Sequence, residues 1–103
     1  MICNEKFAYA QRATAFALQC SVILNSLHRQ DRSTGFHALA ARKVGERALA
    51  ELEAVAVSTD PGEVTDHALA CDDLAGSSMN ILRAYLKQRG KSPDDNDDDD
   101  DSP

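Results

Sequence analysis

Apolar residues recur at helical spacing along three stretches of the chain, and two short polar breaks separate these stretches. In the first stretch the apolar positions advance in alternating steps of four and three residues, which places them on one face of a helix. This spacing predicts a helix over about residues 5–29, with Asn4 as its N-cap. The predicted apolar face comprises Tyr9, Ala13, Phe16, Cys20, Ile23 and Leu27.

The first break spans residues 31–35 and contains Ser33 and Thr34. Either of these side chains can cap a second helix, which the pattern predicts over about residues 36–57. A glycine inside a helix costs about 1 kcal/mol relative to alanine. Because Gly45 falls on the apolar face, we expect it to mark a close approach to another helix. That face comprises Ala41, Val44, Gly45, Ala48, Leu52 and Val55.

The second break carries the strongest local signal in the chain. Asp60 can cap a third helix, Pro61 suits its first position, and Glu63 can reach back as in a capping box. The predicted helix covers about residues 61–89, with Gly76 on its polar side. Its apolar face comprises Val64, Cys71, Ala75, Leu82 and Tyr85.

The charge of the chain is concentrated at its C-terminal end. The formal net charge is −6, and seven of the 17 acidic residues lie in residues 94–101, here called the acidic segment. The remainder holds ten acidic and 11 basic residues, so its net charge is about +1. Blocks of like charge repel one another and resist folding. We therefore predict an all-α, three-helix antiparallel bundle over residues 1–92 and a disordered poly-Asp tail over residues 93–103.

The apolar residues are numerous but small, which predicts a thin core. Hydrophobic residues make up 43% of the chain, yet aromatic residues make up only 5% and tryptophan is absent. A small alanine-rich core favours completion by a partner protein or by a second copy, so a homo-oligomer is one expectation. Three apolar residues off the main stripes are candidates for partner contact: Leu18, Val22 and Leu39.

The cysteines and the N-terminus favour a cytoplasmic location without a membrane anchor. Three cysteines form an odd set without a CxxC pair, so the sequence does not predict a disulfide framework. The first residues lack a basic region followed by an apolar run, so we expect no signal peptide. No stretch is long and apolar enough to predict a membrane span.

His67 and Cys71 are four residues apart on one predicted helix face, a workable spacing for two metal ligands. The other histidines and Cys20 fall too far along the predicted bundle to complete a site. A nucleophilic pair of these residues would also need an orienting carboxylate and an oxyanion site, which no motif supplies. We therefore predict no metal site, no cofactor and no catalytic residues, and expect both side chains to serve the core.

Basic residues cluster near the first predicted hairpin, where His28 and His37 also lie on either side of the loop. Such a cluster can hold a phosphate-bearing ligand or an acidic partner. The overall acidity of the chain argues against direct binding to nucleic acid. The candidate ligand-binding residues are Arg29, Arg32, Arg42, Lys43 and Arg47.

These features predict a small non-enzymatic module that inhibits, antagonises or chaperones a partner protein with a basic surface. Immunity proteins, phage-encoded antagonists of host defence and secretion chaperones share this outline, which is analogy only. In the acidic segment the candidate partner-binding residues are Asp97, Asp98, Asp99 and Asp100. Two alternatives remain open: a module that binds an anionic small molecule such as a nucleotide through the basic cluster, and a nucleic-acid mimic acting through the acidic segment.

Overall fold

The chain folds into three long helices that pack against one another as an antiparallel bundle. The computed structural model describes residues 3–90, and their side chains from Glu5 onward. Helix α1 covers Cys3–His28, α2 covers Gly35–Val57 and α3 covers Pro61–Gly90. The predicted all-α, three-helix architecture is confirmed. The predicted tail over residues 93–103, with the candidate residues Asp97 to Asp100, lies outside the described residues.

A short 3-10 turn over Arg32–Thr34 joins α1 to α2. The Asp31 carboxylate accepts hydrogen bonds from the Ser33 amide at 3.0 Å and the Ser33 hydroxyl at 2.7 Å. Thr34 stands at the N-cap of α2, but its hydroxyl donates back to the Asp31 carbonyl oxygen at 2.9 Å. The expected side-chain cap of α2 is therefore replaced by a closed polar turn around Asp31.

Asp31 also fastens this turn to the last helix. Arg89, near the end of α3, donates from Nη1 to Asp31 Oδ2 at 2.9 Å. Two hydrogen bonds from Ser33, together with the Arg89 guanidinium, hold the pKa of the Asp31 carboxyl below its usual range. The contact shows that α3 ends at the same end of the bundle as the first hairpin.

The second connection follows the sequence prediction closely. The Glu63 amide donates to Asp60 Oδ2 at 3.0 Å, and the Val64 amide donates to the Asp60 carbonyl oxygen at 2.9 Å. Asp60 is therefore the N-cap of α3, as predicted. The Glu63 carboxylate reaches back further than a capping box requires, since Ser58 Oγ donates to it at 3.2 Å.

Small side chains fill most of the interface among the three helices, which lets the backbones approach closely. The core includes two clusters, one in each half of the bundle. The cluster nearer the second connection contains Ala10, Val55, Val64, Ala68 and Cys71. The cluster nearer the first hairpin contains Leu24, Ala38, Ala41 and Tyr85.

The buried stripe of α1 is shifted from the predicted one. Tyr9 is 40% exposed and Ile23 is 47% exposed, although both were expected in the core. Each is replaced by the residue that follows it, Ala10 and Leu24, which are fully buried. Close helix packing favours the small Ala10 over the larger Tyr9, whereas Leu24 and Ile23 are equal in size and their exchange reflects the position of the stripe alone. The full buried stripe is Ala10, Thr14, Ala17, Cys20 and Leu24.

The predicted close approach at Gly45 is confirmed. Gly45 is buried on α2. A Cβ atom built on it would lie 3.2 Å from Leu18 Cδ2 and 3.8 Å from the Ala17 carbonyl oxygen. Leu18 is half-buried by this contact, so it belongs largely to the α1–α2 interface rather than to a free outer edge.

The apolar face of α3 matches the prediction in part, because Ala75 and Leu82 are only half-buried and the buried Ala68 was not predicted. Val64, Cys71 and Tyr85 are buried, and Gly76 is exposed on the opposite side. The helix runs without interruption through Gly76 to Gly90. Ser78 is unexpectedly fully buried, and its hydroxyl has no hydrogen-bond partner within residues 3–90. No helix in this part of the chain is long and apolar enough to cross a bilayer.

Candidate functional site

A cleft of about 420 Å³ opens between α1 and α2 beside the first hairpin. It lies between the last two turns of α1 and the first turns of α2. We call it the α1–α2 cleft. Most of its lining residues are polar in type and one is apolar; they are Ser21, Val22, Asn25, Ser26, His28, Arg29 and Arg42.

Asn25 holds the two walls of the α1–α2 cleft together. Its Nδ2 atom donates to the Ala38 carbonyl oxygen on α2 at 3.1 Å and to the Ser21 carbonyl oxygen on α1 at 2.8 Å. Because both bonds use the same amide group, Asn25 fixes the spacing between the helices. Sequence reasoning missed this residue, although a polar side chain one position from the buried Leu24 was a usable signal.

His28 and His37 face different neighbours and do not form the pair that their positions suggested. The His28 ring lies against Gly35, where a Cβ atom would be 3.1 Å from His28 Cε1. The His37 ring instead packs edge-on against Phe36 and Tyr85, with centroid distances of 5.7 Å and 5.9 Å. Only His28 lines the α1–α2 cleft.

The structure divides the predicted basic cluster into two groups. Arg29, in the turn that follows α1, and Arg42, on α2, both line the α1–α2 cleft. Arg32, Lys43 and Arg47 are exposed and lie outside its lining. Of the five basic residues in the predicted cluster, two therefore line the same cleft, Arg29 and Arg42.

Within residues 3–90, no carboxylate pairs with either arginine. The lining of the α1–α2 cleft contains no aspartate or glutamate. Among the described residues, the one contact between an arginine or lysine and a carboxylate joins Arg89 to Asp31. The cleft is therefore a local concentration of positive charge and hydrogen-bond donors.

The candidate partner-contact residues lie close to the same cleft. Val22 is 67% exposed and forms part of the cleft lining. Leu39 is 45% exposed and precedes Arg42 by three residues, so the two lie on neighbouring turns of one side of α2. Phe36, one turn before Leu39 on α2, is 80% exposed. The sequence pattern did not identify it as a candidate for partner contact. We call Val22, Phe36 and Leu39 the hairpin surface.

His67 has the orienting carboxylate that the sequence did not reveal. Glu51 on α2 places Oε1 2.5 Å from His67 Nδ1 on α3. The two residues are 16 positions apart, and only the antiparallel packing of α2 on α3 brings them together. The pair therefore bridges two helices at a half-buried position.

Cys71 is unsuited to act as a nucleophile with this histidine. It is fully buried, and its thiol donates to the Ala48 carbonyl oxygen at 3.7 Å while accepting from Thr14 Oγ1 at 3.5 Å. Burial raises the pKa of the Cys71 thiol, against a smaller opposing effect of the Thr14 hydrogen bond. Within residues 3–90, histidine, cysteine and acidic side chains form no group that could hold a metal ion.

Comparison with known proteins offers no relative whose residue roles could be transferred to the α1–α2 cleft or the hairpin surface. No protein-family model matches the chain, and no similar protein was found among curated proteins or solved structures.

Proposed function

We propose that this protein is a small, non-enzymatic cytoplasmic module that binds another protein and inhibits, antagonises or chaperones it. The observation that carries the proposal is the hairpin surface, where large apolar side chains are exposed on rigid helices. Phe36 is the most exposed of them, although it is an aromatic residue of the kind that dominates interface energetics. Leu39 follows Phe36 by three residues, so the two side chains lie on the same face of α2.

The acidic segment supports a partner that also carries a basic region. It supplies seven aspartates, whose field accelerates encounter with a positive surface. The Arg89–Asp31 contact places the end of α3 beside the first hairpin. The chain therefore enters the acidic segment from the end of the bundle that bears the hairpin surface. We infer that both regions act on one partner, the apolar residues by burial and the aspartates by steering.

Paired variants of the full chain test this proposal. Phe36→Ser with Leu39→Ser removes the two α2 residues of the hairpin surface, and Val57→Ser with Leu69→Ser removes two exposed apolar residues elsewhere. We expect a defined protein to be retained from a cell extract by the wild type and by the Val57 and Leu69 variant. The same protein should be lost with the Phe36 and Leu39 variant, with affinity lowered at least about tenfold once it is purified.

Two results would contradict the proposal. One is the retention of no defined protein, or equal retention by both variants. The other is a dimer in light scattering that dissociates when Phe36 and Leu39 are replaced, because the hairpin surface would then be covered by a second copy of this chain. Circular dichroism of each variant checks that the helical bundle is intact.

A further inference from the structure

We propose that the α1–α2 cleft binds a small molecule that carries a phosphomonoester, with the phosphate held between Arg29 and Arg42. This site adjoins the hairpin surface and shares Val22 with it, but its proposed phosphate contacts are made by the two arginines and do not depend on Phe36 or Leu39. Both residues line the cleft, and they come from different segments, Arg29 from the turn after α1 and Arg42 from α2. Each presents a planar fork of donors that matches phosphate oxygens, and two such forks can hold one phosphate from two sides.

The charges around the cleft favour an anion rather than a neutral ligand. Neither arginine has a carboxylate partner among the described residues, and the lining is free of acidic groups. The helix ends do not decide the sign, because the negative end of α1 and the positive end of α2 both lie at this hairpin. The side chains therefore determine the local field, and both charged side chains are positive.

The neutral groups complete a set of donors. Ser21 and Ser26 add two hydroxyl groups to the lining. Asn25 cannot serve the ligand with its amide nitrogen, which is already bonded to the Ala38 and Ser21 carbonyl oxygens. It instead links α1 to α2 at the cleft, which holds the backbones that carry the lining residues in place. Preorganisation of this kind lowers the entropic cost of binding.

The volume of the cleft leaves room for a ligand larger than an inorganic ion. At about 420 Å³ it falls within the range of roughly 300–1,000 Å³ that is usual for small-molecule sites. Val22 supplies an apolar wall against which the carbon part of a ligand can pack. A phosphorylated sugar or nucleotide has both parts, an anionic group for the arginines and a larger body for the rest of the space.

A second cleft at the same end of the bundle lacks these properties. It has a volume of about 190 Å³ and is lined by Ser33, Tyr85, Gln88 and Arg89. Its single arginine is already paired with the Asp31 carboxylate at 2.9 Å. An anion entering there would compete with a tethered carboxylate, whereas the α1–α2 cleft offers two unpaired guanidinium groups.

Calorimetric titration of the full chain with adenosine monophosphate, ribose 5-phosphate and inorganic phosphate tests the site at low ionic strength. We expect the two phosphomonoesters to bind more tightly than inorganic phosphate. Arg29→Gln and Arg42→Gln should each weaken their binding at least about tenfold, the usual effect of losing a charge-assisted hydrogen bond. Arg47→Gln is the matched control, because Arg47 is exposed on α2 but lies outside the cleft. Its affinity should stay within about twofold of the wild type.

Three outcomes would overturn the inference. The first is an absence of binding by all three probes at millimolar concentration. The second is an equal loss in Arg47→Gln, which would indicate diffuse attraction rather than a site. The third is equal affinity for inorganic phosphate and the phosphomonoesters, which would reduce the cleft to a simple anion site. None of these results bears on the hairpin surface, whose test uses Phe36 and Leu39.

Discussion

A Cβ atom on Gly45 would lie 3.2 Å from Leu18 Cδ2, which is closer than an ordinary van der Waals contact. The backbone of α2 therefore approaches α1 at a distance that a larger residue could not occupy without displacing Leu18. Asn25 and Ala38 join the same two helices two turns nearer the hairpin. This close packing sets the width of the α1–α2 cleft.

We expect Gly45→Leu to lower the free energy of unfolding by about 1–3 kcal/mol, because the new side chain overpacks the α1–α2 interface. Leucine is the better helix former, so the intrinsic propensity acts in the opposite direction. Urea denaturation followed by circular dichroism measures the result. A variant more stable than the wild type would show that Gly45 does not pack against Leu18.

Gly76→Ala is the control for helix propensity alone. Gly76 is exposed in α3, and a Cβ atom there would meet nothing within 4 Å. We expect this change to raise the free energy of unfolding by about 0.5–1 kcal/mol. If Gly45→Leu lowers the free energy of unfolding and Gly76→Ala raises it, the effect of close packing at Gly45 is separated from the effect of backbone entropy.

Ser78→Ala should stabilise the bundle. The Ser78 hydroxyl is fully buried without a hydrogen-bond partner in the described part of the chain, and such a group costs about 1–3 kcal/mol. Thr14→Val is the matched comparison, since the Thr14 hydroxyl contacts the Ala48 carbonyl oxygen at 3.4 Å. We expect Ser78→Ala to raise the thermal midpoint and Thr14→Val to lower it. A lower midpoint for Ser78→Ala would indicate that its hydroxyl is satisfied.

The sequence was sufficient to predict the helices because their boundaries are encoded locally. Asp60 and Pro61 define the start of α3 through chemistry within a few residues. The core of α1 was harder to assign because alanine and threonine occupy the close contacts. Ala10 is buried and Tyr9 is exposed, so the larger side chain was the misleading one. Tyr9 instead faces Asp72, whose carboxylate raises the pKa of its phenol.

The candidate sites depend on distances across the bundle, which a single sequence does not contain. Arg29 and Arg42 line the same cleft only because α2 runs back along α1. Arg47 lies outside this cleft, although it is close to Arg42 in sequence. Glu51 and His67 meet for the same reason on the other interface. The sequence shows which residues are basic or apolar, but it does not show which of them line the same cleft.

The buried thiols should resist modification in the native protein. Burial raises the pKa of Cys20 and of Cys71 above the ordinary value of 9.0. In a Cys3→Ser variant, we expect an aromatic disulfide reagent at mildly alkaline pH to react slowly with the folded chain and rapidly with the denatured chain. Fast labelling of the native protein would contradict the burial of these residues.

The same pKa shifts predict a dependence of stability on pH. When folding raises the pKa of a thiol, its contribution to stability is fully present at pH values below the pKa that the same thiol has in the unfolded chain. This contribution is lost as the pH rises above about 9.0, because the unfolded thiols then ionise first. We expect the free energy of unfolding to fall in this range. The double variant Cys20→Ala with Cys71→Ala should make the free energy of unfolding depend less steeply on pH. An unchanged slope would show that other groups cause the pH dependence.

Removal of residues 94–103 should leave the bundle intact and slow its association with the partner. The two core clusters extend only from Ala10 to Tyr85, so we expect unchanged helical content and an unchanged unfolding midpoint. Loss of seven aspartates removes a field that can raise association rates at least about tenfold at low salt. Stopped-flow measurements with the purified partner would detect this change as a lower association rate and a nearly constant dissociation rate.

Salt and charge variants distinguish steering from direct contact by the acidic segment. At about 1 M salt the Debye length falls to about 3 Å, so the rates of the full and shortened chains should converge. Replacement of Asp97, Asp98, Asp99 and Asp100 by asparagine keeps the length and removes four charges, so its rate should lie between the two. If truncation instead increases the dissociation rate at high salt, the acidic segment contacts the partner directly. If the association rate at low salt is unchanged, the aspartates do not steer binding and the helices alone recognise the partner.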